Sequence, residues 1–306
     1  MQPEERQPVV SVITPTYNHA AKLKGCIQSV LAQTFKNWEM VIVNNYSEDN
    51  TIEVVESFQD PRLKLINFHN HGVIAASRNK AIRSARGNLI AFLDSDDRWY
   101  PKKLAHAFRA MQTADLCFHD LNLDYGESLG RLKRRKLRGR QLRRPVFRDL
   151  LLYKTPLYNS SITVHRSFIE QVGYISEERG LIGAEDTDLW LKIARKTENF
   201  QYIPATLGTY WDGGGNMTEA SHRQIDRITC LFEKHIRFLN ADNKLRALLL
   251  LRYSIGRIYQ QMGLPCQALS QFKLSIRPPD KRIRLKSIMA SIRAWFDIFI
   301  RSIVKV

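Results

Sequence analysis

The sequence is poor in cysteine, has no long apolar run and, in one stretch, lacks acids altogether. Its four cysteines, Cys26, Cys117, Cys230 and Cys266, include no CxxC pair, which argues against a zinc ribbon and against a disulfide framework. Such sparse usage suits a reducing compartment. No run of 18 apolar residues occurs, so no ordinary membrane-spanning helix is expected. The opening MQPEERQP is polar and acidic, unlike a secretory signal. The 306 residues are 44% hydrophobic and 25% charged, which excludes a disordered or fibrous chain. This length fits one large domain or two smaller ones, with a core that needs no covalent staples.

The net charge of +17 is unevenly placed: residues 1–130 sum to −1, 131–144 to +9, 145–225 to −2 and 226–306 to +11. Such basic segments suit nucleic acid, a membrane surface or an anionic substrate, or else form a solvated face.

Apolar runs at 9–14, 39–43, 63–68 and 89–93 read as buried strands. Between them, 20–33, 51–59 and 73–86 have helical spacing. This alternation predicts an α/β fold with a mainly parallel sheet flanked by helices. Ligands of such sheets sit beyond the carboxyl ends of the strands, where the polar segments 15–19, 44–50 and 94–97 fall. Further on, 102–112 and 185–195 read as helices and 116–125 and 160–166 as strands; beyond about residue 221 the pattern is helical only. The expected domains are therefore 1–221 and 222–306.

Two acidic clusters carry chemistry. Asp94-Ser95-Asp96-Asp97 follows directly on a strand of hydrophobes. Three carboxylates within four residues repel one another unless something positive joins them. A divalent cation with a diphosphate is the natural partner; the alternative is an Asp-rich turn that caps the next helix. Glu185-Asp186-Thr187-Asp188 opens a helix, where acids are favoured by the helix dipole alone. A carboxylate there is also placed as a general base for an acceptor hydroxyl.

Five segments, in order, carry a resemblance over roughly residues 8–215: Thr14-Pro15-Thr16-Tyr17-Asn18; Val43 to Thr51; Ala76-Ser77-Arg78-Asn79 with Gly87; Phe92 to Asp97 with Trp99, Pro101 and Leu104; and Ala184 to Trp190. Together they resemble a family 2 glycosyltransferase of the GT-A fold, an inverting, metal-dependent enzyme that uses nucleotide sugars. The resemblance implies that Pro15, Thr16 and Tyr17 line the base pocket and that Arg78 approaches the donor diphosphate. By the same resemblance Asp94 faces the nucleoside side of the DxD motif, Ser95 is donor-binding, Asp96 binds Mn2+ or Mg2+, and Asp186 deprotonates the acceptor. Asn44 stands where the family usually has a base-contacting Asp; it keeps an acceptor oxygen without the charge, and a uridine donor is the first expectation. The family's late metal-site His is also missing. Asp212 or a mobile Gly213-Gly214-Gly215 loop stands in its place.

The stretch 131–144 has nine basic residues and leucines at five-residue intervals, which reads as a loop or extended ribbon. An anionic acceptor, such as a lipid-linked glycan, and an anionic membrane surface are the expected partners. Nucleic acid is not, because no aromatics are interleaved for stacking. Residues 252–279 resemble one tetratricopeptide-type hairpin. From 281 to 306 an apolar face (Ile288, Ile292, Phe296, Phe299 and Ile303 among its residues) lies opposite Arg284, Lys286, Arg293 and Arg301. That is the pattern of a helix lying in a membrane interface, docking on protein, or pairing with a second subunit. The expected role is sugar transfer to a hydroxyl of a glycan or lipid-linked acceptor, in cell-surface polysaccharide synthesis on the inner face of the cytoplasmic membrane. Transfer to a polyprenyl phosphate and a non-catalytic nucleotide- or glycan-binding module are the alternatives.

Overall fold

Strand β1 (Val10–Thr16) is buried along its whole length, as is β2 (Trp38–Asn44). Their largely apolar character follows from being covered on both faces, and the buried Ser11 and Glu39 satisfy each other, the hydroxyl donating to the carboxylate at 2.6 Å. In the computed structural model, which describes residues 7–126, 135–153, 156–212, 220–276 and 280–304, the side chains beyond residue 298 are outside the description. Parts of four sequence readings fall elsewhere: Arg131 to Arg134, the segment from Gly213 to Asn216, Pro279, and the side chains of Phe299, Ile300, Ile303 and Val304.

The strands form a nine-stranded sheet in the order β3-β2-β1-β4-β8-β6-β9-β5, with β7 also on β6. Here β3 is Leu63–Asn67, β4 Leu89–Phe92, β5 Arg98–Trp99, β6 Leu116–Asp124, β7 Lys136–Leu137, β8 Thr163–His165 and β9 Phe200–Trp211. The first four strands are parallel. Past β4 the sheet turns mixed: β8 runs antiparallel to both β4 and β6, while β9 is parallel to β6. The parallel order read from the sequence thus describes one half of the sheet. The other half combines the long β6 and β9, which pair with each other, with the two- and three-residue strands β5, β7 and β8.

Alternate side chains leave β1, β2 and β4 on opposite faces. Val10, Val12, Met40, Ile42, Leu89 and Ala91 meet Leu23, Ile27 and Val30 of helix α1 (Ala20–Leu31) on one face. Helix α3 (Ile74–Ser84) covers the other face, where Phe92 meets Trp190 edge-on at 5.5 Å. Pro15 interrupts neither pairing. Ile13 points its carbonyl toward the β4 side, so Pro15, two residues on, turns its missing N–H to that side too, beyond the last β1–β4 pair at Ile13–Phe92.

The chain divides into two compact units, residues 1–146 with 155–215, and 147–154 with 216–306. The second unit is helical: most of α5 (Val146–Leu152), α8 (His222–Ile236), α9 (Ala241–Gln261), α10 (Pro265–Ser275) and α11 (Lys281–Val304). Ser221 and Asn240 cap α8 and α9 through their side-chain oxygens, and Pro265 opens α10. α9 and α10 form the expected hairpin: Gly256 lies against the Phe272 ring, so close that a Cβ would meet it at 2.5 Å.

Candidate active site

The site is built at the carboxyl ends of β1, β2 and β4. Strand β4 delivers Leu93 and then the acidic turn. The Asp94 N–H donates to Ser160 Oγ at 3.0 Å, and Asp94 Oδ1 accepts from Asn159 Nδ2 at 3.0 Å. Asn159 and Ser160 lie in a 3-10 turn that stands where the sequence reads the beginning of a strand; β8 starts only at Thr163. Trp99, just past the turn, donates its indole N–H to the Ser160 carbonyl at 2.7 Å. The acidic turn is therefore held from two sides by Asn159 and Ser160, which the sequence reading did not single out. A polar Asn-Ser-Ser cluster directly before a strand was the available signal.

Within the turn the four side chains differ. Ser95 is buried, with its hydroxyl 3.0 Å from His19 Nδ1. Asp96 is half-buried; burial and then the Asp94 charge raise its pKa, and His19 and Lys22 partly offset this. Asp97 is fully buried. One of its oxygens accepts from the Trp211 N–H at 2.8 Å, and the other has no hydrogen-bond partner among the described residues. Burial, then Asp94 and Asp96, raise its pKa well above the carboxylate range. Trp211 ends β9, and Lys22 lies 4.3 Å above its ring. Asp94 is paired with Arg78, but Asp96 and Asp97 make no ion pair among the described residues, and a divalent cation is the chemistry that supplies the charge they lack. No group of three or more His, Cys, Asp or Glu among the described residues forms a complete cation cage. Asp96 with donor phosphate oxygens would suffice, because Mg2+ and similar ions are commonly held by one or two carboxylates plus phosphates.

Arg78, on α3, is buried and spans two acids. One guanidinium nitrogen donates to Asp94 Oδ1 and another to Glu185 Oε1, each at 2.8 Å. Asp94 and Glu185 more than offset the cost of burial and hold the guanidinium charged. Two of its nitrogens are thus engaged by the protein's own carboxylates, while its Nε has no partner among the described residues, and it joins the acidic turn to the first residue of α7 (Glu185–Ala194). Glu185 also accepts from the Gly183 N–H. Asp186, next along, is half-buried and accepts from the Thr187 N–H at 2.6 Å. Burial and the Glu185 charge push its pKa up to about 6, against the lowering effect of Arg78.

At the β1 and β2 ends, Pro15 and Thr16 are buried and Tyr17 is half exposed. The Thr16 hydroxyl is buried without a partner among the described residues. Asn44 is fully buried. Its amide donates to Asn67 Oδ1 at 2.9 Å, and its oxygen accepts from both the N–H and the hydroxyl of Ser47. Both polar ends of Asn44 are thereby engaged in ordering the loop after β2. Tyr46, at the tip of that loop, has φ +53° and is half exposed. Its ring lies 4.7 Å from His69, which in turn stacks on His71 at 5.5 Å. Asp49 ties the neighbouring helices together: one oxygen accepts from the Ala20 N–H and the other from Thr51 at the start of α2 (Thr51–Glu56).

The family model for Glycosyl transferase family 2 matches residues 11–172. The chain belongs to this family. Among curated relatives, the Escherichia coli protein named UDP-Glc:alpha-D-GlcNAc-diphosphoundecaprenol beta-1,3-glucosyltransferase WfgD is 39% identical over 118 residues, 39% of this chain and 45% of WfgD. The match thus spans less than half of that relative. Among solved structures, S. aureus TarS 1-349 in complex with UDP-GlcNAc superposes with a TM-score of 0.57 at 16% identity, covering 93% of this chain and 90% of TarS 1-349. The mannosyltransferase PcManGT from Pyrobaculum calidifontis, in complex with GDP-Man and Mn2+, gives 0.59 at 19% identity, covering 97% and 90%. At these identities the two structures show the fold, GT-A, and no more.

Proposed function

We propose that this family 2 chain is an inverting glycosyltransferase. It moves a sugar from a nucleotide-diphosphate donor, a UDP-sugar first, to a hydroxyl of a lipid-linked glycan. The observation that carries the reading is the buried Arg78, which holds Asp94 and the first residue of α7 on one guanidinium. The donor turn and the candidate base are thereby fixed as a unit, and pre-set geometry of this kind lowers barriers.

In this reading Thr16 and Tyr17 meet the nucleobase, and Asp94, Ser95 and Asp96 face the diphosphate. Asp96 holds the divalent ion, Mn2+ or Mg2+. When bound, that ion supplies charge neutralisation for the departing diphosphate. Asp186 accepts the proton of the acceptor hydroxyl. The acceptor oxygen forms its bond to the anomeric carbon on the face opposite the diphosphate. The carbon–oxygen bond to the diphosphate breaks, the electron pair leaves with the nucleotide, and the configuration inverts. A base that titrates near pH 6 is matched to this task at neutral pH. A polyprenyl phosphate acceptor would already be ionised, leaving Asp186 without a role, so the hydroxyl acceptor is preferred. The name of the relative WfgD, which describes a diphosphoundecaprenol-linked acceptor for that protein, supports a lipid-linked acceptor here, and the proposed setting is cell-surface polysaccharide assembly on the inner face of the cytoplasmic membrane.

The test is a thermal-shift panel of UDP, GDP and dTDP with and without Mn2+, followed by product analysis with the matching nucleotide sugars. A metal-dependent shift for UDP and a transferred sugar of inverted anomeric configuration are expected. Absence of a shift for every nucleotide would overturn the reading.

A further inference from the structure

Helix α11 has two apolar stripes. Ile283, Ser287, Ala290 and Ala294 recur at steps of four, three and four, and all are buried. They form the inner stripe: Ala290 and Ala294 pack with Ala268 and Phe272 of α10, and the Ser287 hydroxyl meets that of Ser275 at 2.8 Å. Leu285, Met289, Ile292 and Phe296 repeat the same steps two residues later, which turns them about 200° around the helix. They are 52–64% exposed. Docking therefore uses one side of the helix and leaves an unbroken row of large hydrophobics on the other.

The border of that row is predominantly basic, with Asp297 the single acid on it. Arg282, Lys286 and Arg293 run along one edge and Arg284 along the other, all exposed. Asp297 is the one acid between 281 and 298, and Asp280, just before the helix, is occupied in accepting from the Arg282 and Ile283 N–H groups. A second copy of this chain on the same stripe would set basic border against basic border. An anionic bilayer satisfies both features: apolar side chains enter the acyl boundary while the arginines and lysine meet lipid phosphates.

We infer that the outer face of α11 is a docking surface for an anionic lipid bilayer, with Leu285, Met289, Ile292 and Phe296 inserted and Arg282, Arg284, Lys286 and Arg293 on the headgroups. It deepens the location part of the reading above and uses none of the catalytic residues.

The experiment is co-sedimentation of the full chain with phosphatidylcholine vesicles, with and without phosphatidylglycerol, at low and high salt. Wild type is expected to bind the anionic vesicles at least about tenfold more tightly than the neutral ones, less so at high salt. Trp295, half exposed beside Phe296, should shift its emission to the blue on binding. The double variant Ile292→Glu/Phe296→Glu should lose binding while keeping its melting temperature and nucleotide shifts. Failure of wild type to bind anionic vesicles, or equal binding by the double variant, overturns the inference. So does a dimer in sedimentation equilibrium that the double variant abolishes without any vesicle binding. Each of these failures leaves the nucleotide and transfer results standing, so the two readings fall separately.

Discussion

Arg78 and Glu185 form a buried ion pair at 2.8 Å across 107 residues of chain. Removing the cation strips the counter-charge from the buried Glu185 carboxylate and from the partly exposed Asp94. Breaking such a pair typically costs about 3–5 kcal/mol. Arg78→Met should therefore unfold at markedly lower temperature or denaturant concentration. Arg78→Lys, with a single ammonium, cannot reproduce the forked contact and should fall between. A chemical denaturation series checks both; an Arg78→Met midpoint equal to wild type would mean that the clamp contributes nothing.

Asp186 is the proposed base, and its raised pKa sets a pH signature. The residue must be ionised to accept a proton, so kcat/KM should fall as pH drops through about 6 and level off above it. Asp186→Asn should lose this limb together with about 10²–10⁴-fold of the rate, while nucleotide-induced thermal stabilisation persists. Rate measurements from pH 5 to 8 on both proteins decide the matter.

Asp96 is half-buried among like charges, so its removal has opposite effects on stability and binding. Asp96→Asn relieves repulsion with Asp94 and should raise the melting temperature of the apo protein slightly. The same change should abolish the extra stabilisation that Mn2+ gives to UDP binding. Chelation of wild type should mimic the second effect and not the first. A thermal-shift titration with metal and nucleotide varied independently measures both.

Lys103 offers a test away from the site. It is fully buried in the core, donates to Thr163 Oγ1 at 2.9 Å and lies 3.7 Å over the Trp99 ring. Burial lowers its pKa to about 7, and neighbouring Cys117 and His119 are held neutral, the thiol pushed up to about 12 and the imidazole down to about 3. Between pH 7 and 10 the unfolded chain binds the proton that the folded chain has released, so this lysine makes stability rise with pH through that window. Below pH 7 its full cost is present. Lys103→Met should be more stable than wild type at pH 6.5, by on the order of a few kcal/mol at about 1.4 kcal/mol per pKa unit. The advantage should fade toward pH 10. A gain independent of pH would contradict this account.

The first half of the sheet was legible because doubly covered strands need continuous apolar runs, and 9–14, 39–43 and 89–93 have them. Strand β9 was not legible. Its sequence FQYIPATLGTYW contains Pro204 and no alternation, and its register comes from β6. His119 pairs Ile203 and the next residue, Asp120, pairs Thr206, so Pro204 and Ala205 bulge out of the ladder. A proline that cannot donate is accommodated there. At the site, Asp94, Asp96, Arg78 and Asp186 stood out as residue types in ordered motifs. The contacts of Arg78 with Glu185, and of Asp94 with Asn159 and Ser160, did not, because each joins segments 65 to 107 residues apart. Local pattern carries no information about such closures.

The loops after β1 and β2 are cross-tied. Asn18 accepts from the Glu48 N–H and donates its own N–H to Ser47, and Asp49 reaches back to Ala20. Neither loop can be redesigned alone without stranding a partner in the other. For enzyme engineering, the unit of exchange is the pair of segments 16–20 and 44–51, transplanted together as one cassette. Point substitutions at Asn44, whose two polar ends are already spoken for, are the wrong handle for altering which nucleotide this scaffold accepts.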